Sequence, residues 1–381
     1  MKLKGKKIFG LVFLLIAVIL VLGLFGGCVR GMSPIGWSGG TIADGNLYVG
    51  SNEGRLVSLN LNDDSIQWAE TLKGATQSGI FGCSPMAGCG GGTSKVAIYG
   101  TPVVSGDLVY IAGYNGKIYA YKTDNLAQRW IYPREGYLKP FVGGMVIAKG
   151  KLFIGSSDGW VYALDALTGD KLYETKVGDK IWSTPAVDAE NNTLYIGAFD
   201  KKLYAYSMDN LSLKWVYQTE GSIISTPLVY NGIVYFGSFD RNLYAINASD
   251  GSLKWKYTGK NWFWAQPEVL NGVLYAGCLD NFVYALDPAT GAKIKDFDLK
   301  SPVSSRPVVV ENLIIFASGD GIVYKIDGAS KEISQIVDLK TKVDGPLTAN
   351  AGIVYIHPQT NELMRINPVS GTVLPAISLK S

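Results

Sequence analysis

The feature that most constrains this chain of 381 residues is a unit that occurs eight times. Each unit begins with an apolar pair, which is followed nine residues later by a second marked position and eleven residues after that by a third. The second member of the pair is, in chain order, Tyr48, Tyr110, Phe153, Tyr195, Tyr235, Tyr275, Ile315 and Tyr355. Because both spacings hold in all eight copies, the chain is built from repeats of one structural unit.

Each unit contains four short strand patterns, named A to D below. In the fifth copy, strand A is predicted at 225–229, B at 233–237, C at 243–246 and D at 253–257. These segments are rich in aromatic and β-branched residues, which strands favour. The turns after B and C contain Asp, Asn and Gly, which supply local hydrogen bonds and positive φ angles.

The repeat length predicts the fold. After the first, the units follow one another at 40 to 43 residues, and four-stranded units of about 40–45 residues are typical of β-propeller blades. We therefore expect residues 37–381 to form one all-β, eight-bladed β-propeller of antiparallel four-stranded blades. The first spacing is 62 residues, so an insert at 73–100 joins strand D of blade 1 to strand A of blade 2. It is either a partner-contact element or a neutral loop.

The N-terminus predicts export. An apolar run at 8–25 follows a cluster of lysines, and together they indicate a signal peptide over 1–27 and a short tether at 28–36. The Gly26-Gly27-Cys28 end resembles the lipobox of bacterial lipoproteins, although Phe25 stands where that motif usually has leucine. The resemblance implies lipidation at Cys28. The protein would then be held at the outer face of the cytoplasmic membrane, or in the periplasm or outer membrane. An uncleaved anchor and a secreted soluble form are the alternatives.

Charge argues against nucleic acid as a partner. The chain has 35 basic and 32 acidic side chains. Removing 1–27 takes away four lysines and no acid, which leaves 31 basic residues against 32 acidic ones. A nucleic-acid-binding domain usually carries a basic surface, which this balance does not favour.

Three further cysteines follow Cys28. Cys83 and Cys89 lie six residues apart in the insert, and in an exported protein such a pair is expected to form a local disulfide. No other Cys or His lies close in sequence to complete a zinc site, so no metal site is predicted. Cys278 lies inside a strand pattern and is expected to be buried as a small apolar side chain.

The segment between strands C and D indicates a family. Residues 163–169 and 285–291 share the pattern Ala-x-Asp-x-x-x-Gly, and the third marked position follows four residues later. This resembles the tryptophan-docking motif of PQQ-like, or quinoprotein-type, propellers, and the resemblance covers about 37–381. It implies that the aromatic residue at this position packs on the next blade. The position holds, from blade 1 to blade 8, Trp68, Trp130, Tyr173, Trp215, Trp255, Lys295, Gln335 and Pro375. Blades 6 to 8 are therefore expected to pack through aliphatic side chains.

That family contains dehydrogenases that hold pyrroloquinoline quinone (PQQ) and calcium, and non-enzymatic scaffolds such as the BamB-type lipoproteins of outer-membrane protein assembly. This chain resembles the second branch. Its blades of about 40 residues leave little room for cofactor loops, and it has no pair of adjacent cysteines. Calcium needs six to eight oxygen ligands, and no acidic cluster outside the turns suggests them. No cofactor is expected, and a small PQQ-dependent dehydrogenase is the alternative.

The repeated turn aspartates and the single histidine, His357, do not predict catalysis. Five equivalent carboxylates indicate hairpin capping rather than one special acid or base; they are Asp158, Asp200, Asp240, Asp280 and Asp320. His357 is the obvious general base, but no positioned nucleophile accompanies it, so a structural role is favoured.

Aromatic residues predict a binding face. The position three residues before the strand A proline, or its equivalent, holds Trp37, Tyr99, Val142, Trp182, Ile224, Trp264, Ser304 and Val343. Strand direction places it on the same face as the B–C turns and the insert. The candidate binding face comprises Trp37, Tyr99, Tyr114, Trp182, Phe199, Phe239, Trp262 and Trp264. Aromatic side chains dominate binding hot spots, although these rings could instead only plug the channel.

The sequence therefore favours a non-enzymatic scaffold of the cell envelope that binds other envelope proteins, either as a monomer or as a subunit of a larger assembly. A propeller that binds glycan or another ligand is the further alternative.

Overall fold

The computed structural model describes residues 36–74 and 96–380, which belong to one unit, Ile35–Ser381. These residues form eight antiparallel sheets, each made of four strands that are consecutive in the chain. The predicted all-β, eight-bladed propeller is confirmed. The described ranges contain strands but no helix, so no helix in them could cross a membrane. The predictions for the signal at 1–27, for Cys28 and for the Cys83–Cys89 disulfide lie outside the described residues.

The strands are as follows. Blade 1 has β1 Gly40–Ala43, β2 Asn46–Gly50, β3 Leu56–Asn60 and β4 Ile66–Trp68. Blade 2 has β5 Val103–Ser105, β6 Leu108–Gly113, β7 Lys117–Lys122 and β8 Gln128–Tyr132. Blade 3 has β9 Met145–Ala148, β10 Lys151–Gly155, β11 Trp160–Asp165 and β12 Lys171–Lys176. Blade 4 has β13 Ala186–Asp188, β14 Thr193–Gly197, β15 Lys202–Ser207 and β16 Leu213–Gln218.

Blade 5 has β17 Leu228–Tyr230, β18 Ile233–Gly237, β19 Asn242–Asn247 and β20 Leu253–Thr258. Blade 6 has β21 Glu268–Leu270, β22 Val273–Gly277, β23 Phe282–Leu286 and β24 Lys293–Asp298. Blade 7 has β25 Val308–Val310, β26 Leu313–Ala317, β27 Ile322–Asp327 and β28 Ile333–Asp338. Blade 8 has β29 Thr348–Asn350, β30 Ile353–Ile356, β31 Glu362–Asn367 and β32 Thr372–Ser378.

In blade 5, strand B matches its predicted bounds, and strand A begins later than expected, at Leu228. Pro227 precedes it and has no N–H to donate to the ladder. The A–B hairpin turns through Asn231 and Gly232, both with positive φ, 50° and 72°. This is the sequence pair that a type I′ turn requires, and it places the start of strand A at the B–C end of the blade.

The core lies between the blades. The middle strands are buried on both faces, and each cluster of buried side chains joins two neighbouring blades. Between blades 4 and 5, for example, Tyr195 and Leu203 pack with Val234 and Phe236. Between blades 7 and 8 the packing is aliphatic, as expected. Between blades 6 and 7 it is not, because Tyr275, Phe297 and Phe316 belong to that core. A single blade could not bury both its faces alone, so the ring as a whole is the stable unit.

Tryptophan docking occurs at three blade junctions. Trp130, Trp215 and Trp255 each donate Nε1–H to a backbone carbonyl in the C–D turn of the next blade, at 3.0 Å in all three cases. The ring lies over a glycine of that turn, so that a Cβ there would come within 2.6–2.7 Å of the ring carbons. These glycines are Gly169, Gly251 and Gly291.

The docking expectation is wrong for blades 1 and 3. Trp68 is 38% exposed and Tyr173 41% exposed, whereas Trp130 and Trp255 are 8% exposed. The reason lies in the next blade, where Leu126 and Leu211 occupy the position that glycine holds in the docked turns. A side chain at that position occupies the space that the docked ring would need.

The ring closes between blade 8 and blade 1 without a shared strand. Leu47 and Val49 of blade 1 pack with Tyr355 and Leu363 of blade 8. Polar contacts also cross this closure seam: Thr348 Oγ1 donates to the Gly40 carbonyl at 2.5 Å, Asn52 Nδ2 to the Thr360 carbonyl at 2.9 Å, and Arg365 pairs with Asp64 at 2.7 Å. Among the described residues, the ring is therefore closed by side-chain packing, by side-chain hydrogen bonds to backbone carbonyls and by one ion pair.

Candidate functional site

A central channel of about 730 Å³ is lined by the A strands of seven blades and, in blade 5, by residues directly before strand A. At its end on the B–C face, one side chain from each blade stands four residues before the strand A residue that pairs with the second member of the apolar pair in strand B. In chain order these are Trp37, Tyr99, Val142, Trp182, Ile224, Trp264, Ser304 and Asp344. The predicted position is thus correct in seven blades.

In blade 8 the prediction of Val343 is wrong. Val343 is fully buried between blades 7 and 8, and Asp344 lines the channel instead. The difference comes from Pro346, which stands one residue earlier in its repeat than the prolines of blades 5 to 7. Counting forty residues on from Ser304 gives Asp344 directly.

The eight aromatic residues of the candidate binding face form two groups. In the first, Trp37 contacts Tyr99 edge-on, with ring centroids 4.4 Å apart, and Tyr99 contacts Tyr114 at 5.5 Å. In the second, Trp182 contacts Phe199 at 4.8 Å, Phe199 contacts Phe239 at 6.3 Å, and Phe239 lies against both remaining tryptophans. Those two are Trp262, stacked at 4.2 Å, and Trp264, at 5.7 Å. The structure thus brings all eight together around the mouth.

Part of the second group is covered. The Lys180 ammonium lies 4.4 Å from the ring centroid of Phe199 and 5.4 Å from that of Trp182. A cation over two aromatic faces is attracted by their negative ring faces. Trp182 and Phe199 are therefore engaged with each other and with Lys180.

A second cavity of about 500 Å³, the mouth pocket, lies over the arc of blades 6 to 8 and reaches blade 1. Its lining is Trp37, Trp264, Leu279, Ser301, Pro302, Ser304, Gly319, Asp320, Lys342 and Asp344. Trp37, Trp264, Ser304 and Asp344 also line the channel, so the two cavities are continuous. Two tryptophans from different blades and three charged side chains thus meet in one pocket.

Charged residues of the channel also come from blades 6 to 8. Arg306 Nη2 lies 3.3 Å from Glu268 Oε2, while Asp344 accepts hydrogen bonds from Ser304 Oγ at 3.2 Å and Gln359 Nε2 at 2.5 Å. No sequence pattern marks these residues, because each one is unremarkable within its own repeat. They lie next to one another only in the folded ring, because they belong to different blades and are about forty positions apart in the chain.

The turn aspartates are structural in blades 4 to 6, as the repeat predicts. Asp240 Oδ1 accepts from the Asn242 N–H at 3.0 Å, and Oδ2 accepts from the Tyr244 hydroxyl at 2.7 Å and from the Glu220 N–H at 3.0 Å. Asp200 and Asp280 bind Tyr204 and Tyr284 in the same way, at 2.5 and 2.7 Å. This arrangement, the Asp–Tyr clamp, ties the B–C turn to the preceding D–A loop. Burial, and then the adjacent carboxylate, raise the pKa of all three tyrosines.

The Asp–Tyr clamp is missing from blade 7. Tyr324 donates its hydroxyl to the Leu299 carbonyl at 3.2 Å instead. Asp320 accepts a hydrogen bond from Ser318 Oγ at 2.6 Å through Oδ1, and within the described residues no donor reaches its Oδ2. Its carboxylate lines the mouth pocket. The aspartate at this repeat position therefore lies in a different environment in blade 7 from that in blades 4 to 6.

His357 and Cys278 lie in the protein interior, as expected for structural residues. His357 Nδ1 is 3.1 Å from the Ser38 carbonyl across the closure seam, and burial lowers the pKa of the imidazole. Cys278 is fully buried in blade 6. Neither residue lines the channel or the mouth pocket.

Comparison with known proteins identifies the family. The family model described as outer membrane protein assembly factor BamB matches residues 30–180, 157–277 and 279–374. A protein of that name from Shewanella oneidensis is 24% identical over 142 residues, which are 37% of this chain and 30% of that protein's length. The aligned part thus spans less than a third of that relative.

Two solved structures show the same fold. BamB from Moraxella catarrhalis has a TM-score of 0.64 at 17% identity, with 84% of this chain and 91% of that chain covered. The computationally designed protein Ika8 has a TM-score of 0.69 at 13% identity, with 86% and 95% covered. At these identities the similarity shows the fold alone. The family model, in contrast, covers most of the sequence, and the chain therefore belongs to the BamB-type family of PQQ-like repeat propellers.

Proposed function

We propose that this protein is an exported, membrane-tethered and non-enzymatic scaffold that binds other proteins of the cell envelope through the mouth of its channel. The observation that carries the proposal is the mouth pocket of about 500 Å³ between Trp37 and Trp264. Large aromatic side chains in a concave site are the usual anchors of protein interfaces. The family model and the Shewanella oneidensis relative are both named as outer membrane protein assembly factors, which supports an envelope role.

The lining of the mouth supports a non-enzymatic role. PQQ carries three carboxylates and needs cationic partners, but the mouth pocket offers two carboxylates, Asp320 and Asp344, and one cation, Lys342. Deeper in the channel, Arg306 is already paired with Glu268. Within residues 36–74 and 96–380, no group of three or more acidic, His or Cys side chains could hold a metal. These residues do not fit the quinone or its calcium ion.

Membrane attachment through lipidated Cys28 is part of the proposal, as is a disulfide between Cys83 and Cys89. Both rest on the sequence: the lipobox-like Gly26-Gly27-Cys28 and the six-residue spacing of the pair in an exported chain. Mass spectrometry of the purified protein tests both. A diacylated or triacylated Cys28 and a non-reduced peptide that contains 83–89 are the expected species.

In vivo photo-cross-linking tests the binding face. A photoreactive phenylalanine analogue replaces Tyr114 or Trp262, both of which are exposed at the mouth. We expect discrete cross-links to one or a few envelope proteins. The control carries the same analogue at Asn231, a residue of an A–B turn on the opposite face. Equal cross-linking from both faces, or none from the mouth, would contradict the proposal.

A further inference from the structure

We propose that the mouth pocket receives a basic side chain, arginine or lysine, of the bound envelope protein. The cationic group would lie between Trp37 and Trp264 and pair with Asp344 and Asp320. This inference rests on the proposed function above, because it names the chemistry by which the mouth recognises its partner. Four features of the described residues support it.

The first feature is the pair of aromatic walls. Trp37 belongs to blade 1 and Trp264 to blade 6, and both line the pocket. Tryptophan attracts a cation over its face more strongly than the other aromatic side chains do. Each ring is braced from outside the pocket, Trp37 by Tyr99 and Trp264 by Phe239. Such bracing reduces the entropy that the two rings would lose when a ligand orders them.

The second feature is Asp344. Ser304 and Gln359 each donate a hydrogen bond to its carboxylate, one to each oxygen. These neutral donors fix the carboxylate at the junction of pocket and channel but leave its charge uncompensated, since none of the ion pairs among the described residues includes it. A carboxylate oxygen can accept more than one hydrogen bond, so Asp344 can still bind a guanidinium or ammonium group.

The third feature is Asp320. In blades 4 to 6 the equivalent aspartate is held by a tyrosine hydroxyl and a backbone N–H, whereas in blade 7 Tyr324 bonds elsewhere. Asp320 is therefore released from the structural role that its repeat position has in those three blades. Its exposed carboxylate adds a second negative charge to the rim of the pocket.

The fourth feature is the pairing of the nearby lysines. Lys300 and Lys340 form ion pairs with Asp298 and Asp338, each two residues earlier at the end of strand D. Among the residues that the structure describes, Lys342 is then the one cation that lines the pocket, against two carboxylates. It is exposed, and its long flexible stem lets the ammonium turn toward solvent or toward an acidic group of the partner. The net charge of the pocket lining favours a basic occupant.

A binding experiment tests this chemistry without the natural partner. The probe is N-acetyl-arginine amide, and its control is N-acetyl-citrulline amide, which has nearly the same shape but no charge. The indole N–H resonances of Trp37 and Trp264 are assigned from Trp37→Phe and Trp264→Phe variants of the full-length protein. We expect saturable shifts of both resonances with arginine, with a dissociation constant of roughly 1 mM, and little effect of citrulline. Absence of a saturable shift, or equal binding of citrulline, overturns the proposal.

Charge variants give the matched comparison. Asp344→Asn is expected to weaken arginine binding about tenfold, as loss of a charge-assisted hydrogen bond would, and Asp320→Asn about threefold. Asp158→Asn is the control, because Asp158 has the same repeat position in blade 3 but does not line the pocket. If Asp158→Asn weakens binding as much as the two pocket variants do, the arginine site is not the mouth pocket.

The same variants act on the natural partner. In the cross-linking experiment, Lys342→Glu should raise the yield from the mouth and Asp320→Lys should lower it. The reverse pattern would mean an acidic partner segment and would overturn the inference while leaving the scaffold function intact. If the protein without these charge substitutions gave no cross-links from the mouth, the proposed function would be contradicted. The arginine titration would still show whether the pocket binds a cationic group.

Discussion

Cys278 shows how burial in a blade fixes the chemistry of a single side chain. The thiol lies in the core between blades 5 and 6, fully buried, and its Sγ donates to the Asn261 carbonyl at 3.2 Å. Burial raises its pKa to about 12, with a smaller contribution from the nearby Asp280 carboxylate. Since the thiolate is the reactive species, the folded protein should protect this residue from alkylation.

We predict that iodoacetamide at pH 8 leaves Cys278 unmodified in the folded protein and modifies it fully in urea. Peptide-resolved mass spectrometry distinguishes this cysteine from the other three. The same peptide from the unfolded protein is the control for reactivity. Modification of the folded protein at the rate of a free thiol would mean that blade 6 opens frequently or that the site is not buried.

At the residue scale, the sequence predicts the aromatic members of the mouth but not its charges. The recurring position before strand A selects Trp37, Trp182 and Trp264 by residue type alone. The strand A proline does not indicate Asp344, because in blade 8 this proline stands one residue earlier in the repeat than in blades 5 to 7. The clustering of Asp320 with Asp344 requires knowledge that blades 7 and 8 are adjacent and that Tyr324 does not form the Asp–Tyr clamp.

At the scale of strands and turns, docking depends on two residues in different blades. A strand D tryptophan docks where the C–D turn of the next blade has glycine, and it stays exposed where that turn has leucine. The motif within one repeat therefore does not predict docking, because the acceptor belongs to the following repeat. The leucines at 126 and 211 adopt positive φ angles of 53° and 57°, so the space for the ring, rather than φ alone, distinguishes the two kinds of turn.

Gly251→Ala tests this dependence. A Cβ at Gly251 would lie 2.7 Å from the Trp215 ring, at a φ of +75°. We expect a loss of about 2–4 kcal/mol of unfolding free energy, from the positive φ together with displacement of the ring. Urea denaturation followed by tryptophan fluorescence measures the loss, and the fluorescence of the native state should change as Trp215 leaves its site.

Gly371→Ala is the matched control. Gly371 has the same φ of +75° at the same turn position in blade 8, but a Cβ added there would meet no atom of the described residues within 4 Å. This substitution should cost only about 1 kcal/mol, the conformational penalty of a side chain at positive φ. If the two variants lose equal stability, the tryptophan contact contributes little and backbone strain explains both losses.

The order and spacing of the strands follow from the sequence more completely than their packing does. Strands B, C and D keep fixed intervals because the short, Asp-containing B–C and C–D turns leave little freedom in length. The bounds of strand A are less well predicted, because in blade 5 its pairing with strand B begins only after Pro227. Contacts between blades, such as Arg306 with Glu268, depend on ring geometry and have no local sequence signal.

At the scale of the whole molecule, the seam between blades 8 and 1 differs from the other junctions. Blade 1 contains no strand from the C-terminal end of the described chain, and blade 8 contains none from its N-terminal end. No shared sheet therefore links the two blades across this seam. Buried side-chain atoms without a hydrogen-bond partner among the described residues concentrate in the two B–C turns at this seam; they include Ser51 Oγ, Asn52 Oδ1, Arg55 Nε, Thr360 Oγ1 and Asn361 Oδ1. Unsatisfied buried polar groups cost stability, which makes this seam the junction expected to open first.

His357 links that seam to pH. Its Nδ1 lies 3.1 Å from the Ser38 carbonyl across the seam, and burial holds the pKa of the imidazole below its usual value. Near pH 5, His357 is protonated in the unfolded chain, whereas burial disfavours its protonation in the folded ring. Stability is therefore expected to fall as the pH drops below about 6.5, the pKa of an unperturbed histidine, by up to about 2 kcal/mol at pH 5.

His357→Asn isolates this contribution, because the asparagine amide can still donate a hydrogen bond toward Ser38 but does not titrate. The unfolding free energy of the native protein should decrease more between pH 7.5 and pH 5 than that of the variant, as measured by urea denaturation. Amides of β1 and β30 should exchange with deuterium faster at pH 5 than those of β14 and β18, since the closure seam would open before the interior junctions. An identical pH dependence in both proteins would show that protonation of His357 does not contribute to the loss of stability.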